Sequence, residues 1–96
     1  MHPSKVVRTN VRELTDLPNI GKTIAEHLRE IGIHTPDQLV GKKPYDLYRE
    51  FCHVTRFRQD PCVLDVFISI VRFANGENPQ PWWAYTAERK QSFPDL

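Results

Sequence analysis

This sequence has few cysteines and a small net charge: its 96 residues include two cysteines, and the formal net charge is +1. Two cysteines are too few for a disulfide framework, and a charge of this size excludes a protein that coats DNA through its overall charge. No apolar run approaches the length of a membrane span, and the stretch before Leu14 lacks the apolar run of a secretory signal. We therefore expect a cytoplasmic protein that does not associate with membranes.

The composition is that of a globular protein, because 40% of the residues are hydrophobic and 10% are aromatic. The length fits one domain with a modest core. We expect residues 1–9 to form a flexible N-terminal arm and residues 10–96 to form a single domain. The helix signals predict an all-α fold, a compact bundle of about five short helices.

The first helix is expected to begin at Asn10, which is a good N-cap with Glu13 at the capping-box position, and to end before Pro18. An apolar stripe predicts a second helix over residues 22–31, with Gly32 after its end. Capping-box and first-turn proline signals predict a short helix after Thr35, and Pro44 opens a further helix over residues 45–57. A last helical turn is expected after Thr86.

Residues 62–74 are rich in β-branched side chains, so a strand is an alternative for this segment. The polar positions favour a helix, because Asp65, Ser69 and Arg72 recur at i, i+4 and i+7 on an otherwise apolar segment. We expect this to be the central and most buried helix, with these three side chains nearest the solvent.

The most informative motif joins the first two expected helices, and we call it the hairpin turn: Leu17-Pro18-Asn19-Ile20-Gly21. Such a turn needs a residue that tolerates positive φ, an apolar plug between the helices, and a glycine where the backbones approach closely. Asn19, Ile20 and Gly21 occupy these positions. The N–H groups that begin the next helix then form an anion site, to which Lys22 adds a charge.

With these residues the chain resembles the helix-hairpin-helix superfamily, whose hairpins contact DNA backbone phosphates without reading sequence. Over about residues 10–90 it looks more closely like the pathogenicity-locus family of small bacterial proteins, also labelled mitomycin-resistance-like. The first half is also similar to the C-terminal domain of TfoX-type competence regulators. The resemblance implies a sterile-alpha-motif-like arrangement of helices, and it rests further on Leu39-Val40-Gly41, Pro44-Tyr45-Asp46-Leu47-Tyr48, Asp60-Pro61-Cys62 and Pro81-Trp82-Trp83.

One position departs from that family, because its hairpins usually begin with glycine where this chain has Asn19. Asparagine is the non-glycine residue that best tolerates positive φ, so the turn is expected to survive. Its side chain is expected to narrow the approach of a phosphate. A degenerate second hairpin is a weaker hypothesis for residues 39–44, where Lys42 and Lys43 precede a helix. The alternative there is a solvated loop.

The function that we predict is non-enzymatic, sequence-independent binding of the DNA phosphate backbone, with no cofactor. The residues expected to form the site are Asn19, Ile20, Gly21, Lys22, Lys42 and Lys43. The alternative is a protein-interaction module that binds no nucleic acid. No catalytic signature is present.

Two further groups of residues are better explained by packing than by chemistry. Cys52, His53 and Cys62 match no zinc spacing, so we expect no metal and two cysteines that pack as small apolar residues, with a Cys52–Cys62 disulfide as an alternative. Trp82 and Trp83 could stack on bases, but a pair of this kind more often seals the core with one ring and packs the surface with the other.

Overall fold

Four α-helices and five short 3-10 turns make up the fold, and no strand is present. The computed structural model describes residues 1–96, with α1 at Lys22–Glu30, α2 at Pro44–Thr55, α3 at Cys62–Ala74 and α4 at Thr86–Ser92. The all-α class expected from the sequence is confirmed, with four helices where about five were expected. None of the four combines the length and apolar character that a membrane span requires.

The α3 helix is the centre of the fold, as its apolar composition predicted. Phe67 and Ile70 are completely buried, and α3 packs against α2, α4 and the 3-10 turns Pro36–Leu39 and Trp82–Tyr85. A helix surrounded in this way hides β-branched residues on every face, which explains why strand propensity did not decide its structure. Burial of these side chains is the main stabilising contribution to the fold.

The expectation that Asp65 and Ser69 face the solvent was wrong, because both side chains are buried. The Asp65 carboxylate accepts hydrogen bonds from Arg89 Nε at 2.9 Å and from Thr86 Oγ1 at 2.7 Å, which attaches α4 to α3. Arg72 alone is partly exposed, and it pairs with acidic residues beyond α3. The helical polar stripe therefore exists, but it binds neighbouring elements instead of water.

The prediction of a helix beginning at Asn10 was also wrong. This segment contains only the 3-10 turns Arg8–Asn10 and Leu14–Asp16. The Asp16 carboxylate accepts hydrogen bonds from the backbone N–H groups of Arg12 and Glu13, which holds these residues outside a helix. Local bonding of this kind is how aspartate competes with helix formation. The capping box thus lies at Glu13 and Asp16, three residues later than the sequence suggested.

The first nine residues lie along the domain and are held at two points. The Arg8 guanidinium donates to the carbonyls of Phe73 and Glu77 and lies 4.0 Å from the centre of the Phe73 ring. The amino group of Met1 donates to the carbonyls of the hairpin region, at Thr15, Leu17 and Ile20. The flexibility expected of this arm stays a prediction.

The two cysteines are free thiols, and both are half-buried. Cys62 lies at the start of α3, where the Asp60 carboxylate accepts a hydrogen bond from its backbone N–H at 2.9 Å. Partial burial, followed by the neighbouring Asp60, raises the pKa of the Cys62 thiol. A raised pKa keeps the thiol protonated and weakly nucleophilic at neutral pH, which agrees with a packing role.

Candidate nucleic-acid interface

The hairpin turn adopts the backbone that its sequence predicted. Asn19 has φ of 67°, in the left-handed region that asparagine tolerates better than other side chains. Leu17 and Ile20 are buried to within 1% of complete burial, so Ile20 is the apolar plug that was expected. Ala25, one turn into α1, is also completely buried. The turn is thus fixed to the core by its apolar residues.

The Asn19 side chain points into the protein and not toward an approaching ligand. Its amide nitrogen donates to Ser69 Oγ at 2.9 Å and to the Gln80 carbonyl at 2.9 Å. Ser69 in turn donates to the Val66 carbonyl within α3. The Asn19 amide thus attaches the turn to α3, and the expectation that this side chain narrows the approach of a phosphate stays a prediction.

Ser69 and Gln80 hold the hairpin turn, and the sequence did not assign either of them to it. Ser69 carried a signal, because a polar residue in the middle of an apolar helix requires a partner. Gln80 gave no such signal in the sequence, since it contributes a backbone carbonyl from a segment that is remote along the chain.

Gly21 is the N-cap of α1 and does not make the close approach that was expected of it. Its φ of −96° and ψ of −178° are ordinary extended values that any residue adopts. A Cβ atom built at this position would meet no atom of the protein within 4 Å. The glycine therefore leaves open space in front of the first turn of α1, and no internal contact requires it.

The beginning of α1 presents unused hydrogen-bond donors. The backbone N–H groups of Gly21, Lys22, Thr23 and Ile24 form no hydrogen bond within the protein, and the first N–H that does is that of Ala25. The first turn of α1 contains no acidic residue, and Lys22 is exposed beside it. Unpaired donors, the positive end of the helix dipole and a lysine together favour an anion.

An open cleft of about 430 Å³ lies beside the hairpin turn, lined by Met1, His2, Pro3, Asn19, Ile20, Gly21, Trp82 and Trp83. Trp82 packs against the core and Trp83 is 61% exposed, so the pair has one inner and one outer ring as expected. The backbone N–H of Asn19 donates to the Met1 carbonyl at 2.8 Å, so it is not available to a ligand. The open donors therefore begin at Gly21.

Asp16 directly precedes the hairpin turn and carries a carboxylate. The hydrogen bonds from the Glu13 and Arg12 N–H groups lower the pKa of this carboxyl. Asp16 is therefore ionised at neutral pH, and its charge is directed at backbone donors of the preceding 3-10 turn. Partial burial lowers the pKa of the Met1 amino group, and the charge of Asp16 offsets part of this effect.

Lys42 and Lys43 are exposed, but they line a different cavity from the hairpin residues. This cavity of about 540 Å³ lies between the start of α2, the second half of α3 and α4, and its lining includes Arg72, Glu88 and Arg89. The structure thus brings Asn19, Ile20 and Gly21 together in one cleft and the two lysines together in another.

No group of three or more histidine, cysteine, aspartate or glutamate side chains is arranged to hold a metal ion. What the hairpin region offers is backbone N–H donors and one lysine, which suit an anionic oxygen ligand.

Comparison with known proteins agrees with the features of the sequence. A family model described as Cdd1, pathogenicity locus, matches residues 7–91. The chain belongs to this family. It is 40% identical over 79 residues to the mitomycin resistance protein McrB of Streptomyces lavendulae, which covers 82% of this chain and 75% of that relative. No solved structure matches the Cdd1-family chain.

Proposed function

We propose that this Cdd1-family protein is a non-enzymatic, sequence-independent DNA-binding protein. Its hairpin turn and α1 would act as a helix-hairpin-helix element in which the 3-10 turn Leu14–Asp16 stands in place of the first helix. The observation that carries the proposal is the set of unpaired N–H groups from Gly21 to Ile24, beside the exposed Lys22. Backbone N–H groups at a helix N-terminus bind phosphate oxygens in many proteins. Contacts of this kind position a duplex without reading its bases.

The absence of a side chain at Gly21 supports the same function. Internal packing gives no reason for a glycine there, because a Cβ would lie in open space. Because Gly21 is the N-cap of α1, a side chain here would lie beside the donors of the first turn. Glycine is the residue that lets an external group come closest to a backbone.

The anchoring of the turn supports a preformed site. Asn19 is attached to α3 and to Gln80, and Ile20 is buried in the core. A donor array that is already fixed loses little conformational entropy when its ligand binds. The site would therefore bind a phosphate without rearrangement of the turn.

Charge reversal at Lys22 tests the proposal. Lys22→Glu should weaken binding to fluorescent duplexes of unrelated sequence, and it should lower the slope of log affinity against log salt by about 1 or more. Lys90→Glu is the matched control, because it makes the same charge change at an exposed position on α4. Circular dichroism and thermal melting should be nearly unchanged for Lys22→Glu, since an acidic residue in the first turn of a helix is mildly favourable. Lys90→Glu should lower the melting temperature slightly, because Lys90 lies in the last turn of α4, where the helix dipole favours a cation.

Two results would contradict the proposal. Equal affinities of wild type, Lys22→Glu and Lys90→Glu would make the hairpin turn a structural connection. No detectable binding of any duplex at low salt would do the same, and the protein-interaction module would then be the better hypothesis.

A further inference from the structure

The C-terminal end of α2 carries a second basic surface, which lies outside the hairpin region. Arg49, His53 and Arg56 recur at i, i+4 and i+7, and Phe57 and Arg58 follow directly. We call these five residues the arginine corner. Together with Asp46, Glu50 and Cys52 they line an open depression of about 720 Å³.

The arginines of this corner have no partner within the protein. The four ion pairs of the structure involve other residues, so the guanidinium groups of Arg49, Arg56 and Arg58 remain free to bind a ligand. The depression also contains two carboxylates, Asp46 and Glu50, which lie before and after Arg49 along α2, and the three arginines outnumber them. A guanidinium group offers a planar fork of donors that matches phosphate oxygens.

Phe57 stands out because this large apolar residue is 65% exposed. The chain leaves α2 through a Schellman motif, in which Arg56 has φ of 53° and the Phe57 N–H donates to the Cys52 carbonyl at 3.1 Å. An apolar residue at this position commonly packs back onto its helix. Phe57 instead displays its ring to the solvent between two arginines, which internal packing does not explain.

We propose that the arginine corner binds single-stranded nucleic acid, with phosphates on the guanidinium groups and an unpaired base on the Phe57 ring. Two cationic side chains, those of Arg56 and Arg58, flank the aromatic residue Phe57 in the sequence. A nucleic-acid strand likewise offers an anionic phosphate and a flat base in each nucleotide. Stacking on an aromatic ring needs an accessible base face, which a single strand offers and an intact duplex does not. The proposal shares a ligand class with the hairpin turn but none of its residues.

Single-stranded DNA is a better match than an acidic protein. An acidic peptide would satisfy the arginines by charge alone and would gain little from the exposed ring. A base uses both, because a guanidinium group and an aromatic ring each offer a flat face for stacking. The effect of removing the ring therefore distinguishes the two ligands.

The test uses the full chain and a labelled oligothymidylate, a blunt duplex and a polyglutamate peptide as probes. Phe57→Ala should weaken binding of the single strand by about 5-fold or more and change duplex binding by less than about 2-fold. Phe57→Tyr keeps the ring and should bind the single strand like wild type. Val40→Ala shortens another exposed apolar residue, which is 56% exposed, and serves as the matched control.

Each other outcome overturns the proposal. If Phe57→Ala binds the single strand as tightly as wild type does, Phe57 does not stack on a base. The same conclusion follows if the substitution weakens binding of the duplex and of the single strand equally. Polyglutamate bound as tightly as the oligonucleotide would make the corner a surface for acidic proteins. Because Lys22→Glu leaves the corner intact, the failure of the hairpin proposal is recognised separately by duplex binding. Circular dichroism of Phe57→Ala verifies that the exposed substitution leaves the fold unchanged.

Discussion

Two turns of this molecule share their sequence ingredients and differ in the hydrogen-bond donors that they leave unpaired. The hairpin turn and residues 39–44 each contain one residue at positive φ, Asn19 at 67° and Gly41 at 78°, and a lysine beside the helix that follows. At the start of α1 the N–H groups through Ile24 are unpaired, and no acidic residue is present. The start of α2 leaves fewer N–H groups unpaired and contains an acidic residue.

At α2 the proline in the first helical position removes one donor, because Pro44 has no N–H. The Asp46 N–H already donates to the Lys43 carbonyl at 3.1 Å, and the Asp46 carboxylate lies in the first turn. That carboxylate interacts with the positive end of the helix dipole and would repel a phosphate. The start of α2 therefore leaves fewer unpaired N–H groups than the start of α1, those of Lys43 and Tyr45, and it adds a carboxylate beside them.

The two turns should differ most in how far a substitution lowers the free energy of unfolding. Asn19→Ala places an ordinary side chain at φ of 67° and removes the hydrogen bonds to Ser69 and Gln80. It should lower the free energy of unfolding by about 2–4 kcal/mol, measured by urea denaturation. Asn19→Gly is the control, because glycine adopts a positive φ without strain and this variant loses only the side-chain hydrogen bonds. If Asn19→Ala matches wild type, the turn is not attached to the core in this way.

Gly41→Ala should have a smaller effect, because Gly41 contributes a backbone conformation to its turn and no side-chain hydrogen bond. Gly41 has φ of 78°, and a Cβ built on it would meet nothing within 4 Å. The cost is therefore only that of a left-handed alanine, about 1–2 kcal/mol in the free energy of unfolding. Urea denaturation alongside Asn19→Ala measures the difference. A loss at Gly41 larger than that at Asn19 would reverse the comparison.

The same turns show what the sequence could predict and what it could not. Positive φ at Asn19, burial of Ile20 and the central position of α3 all followed from local residue types and periodicity. The partners of Asp65, Ser69 and Asn19 did not, because they come from elements distant along the chain. Periodicity identifies a polar stripe, but only the packing of other elements decides whether that stripe faces water.

Charge reversal at the lysines of the two turns should weaken DNA binding by different amounts. If the unpaired donors of α1 form the main contact, Lys22→Glu should weaken duplex binding more than Lys43→Glu does. For Lys43, an exposed charge beside an acidic first turn, the expected loss is less than about 5-fold. Fluorescence anisotropy at two salt concentrations measures both variants, and Lys42→Glu extends the series. A greater loss at Lys43 would identify the start of α2 as the principal site.

The smallest stability change belongs to Gly21→Ala, which is also the sharpest test of the hairpin turn. Alanine is a poorer N-cap than glycine, but it restricts the unfolded chain, and these opposite effects are each below about 1 kcal/mol. No steric cost adds to them, because φ is −96° and the new Cβ would lie in open space. The free energy of unfolding should therefore stay within about 0.5 kcal/mol of wild type.

Duplex binding by Gly21→Ala should nevertheless fall, because the methyl group stands where a phosphate oxygen must approach the N–H groups of α1. Gly21→Ser is the companion variant, since its hydroxyl can cap the helix and occupy the same donors. Anisotropy titrations with one duplex, paired with urea denaturation of the same samples, measure both properties. If both variants bind DNA like wild type, the open space in front of Gly21 is not a ligand site. Weaker binding with unchanged stability would separate the ligand site from the scaffold that holds it.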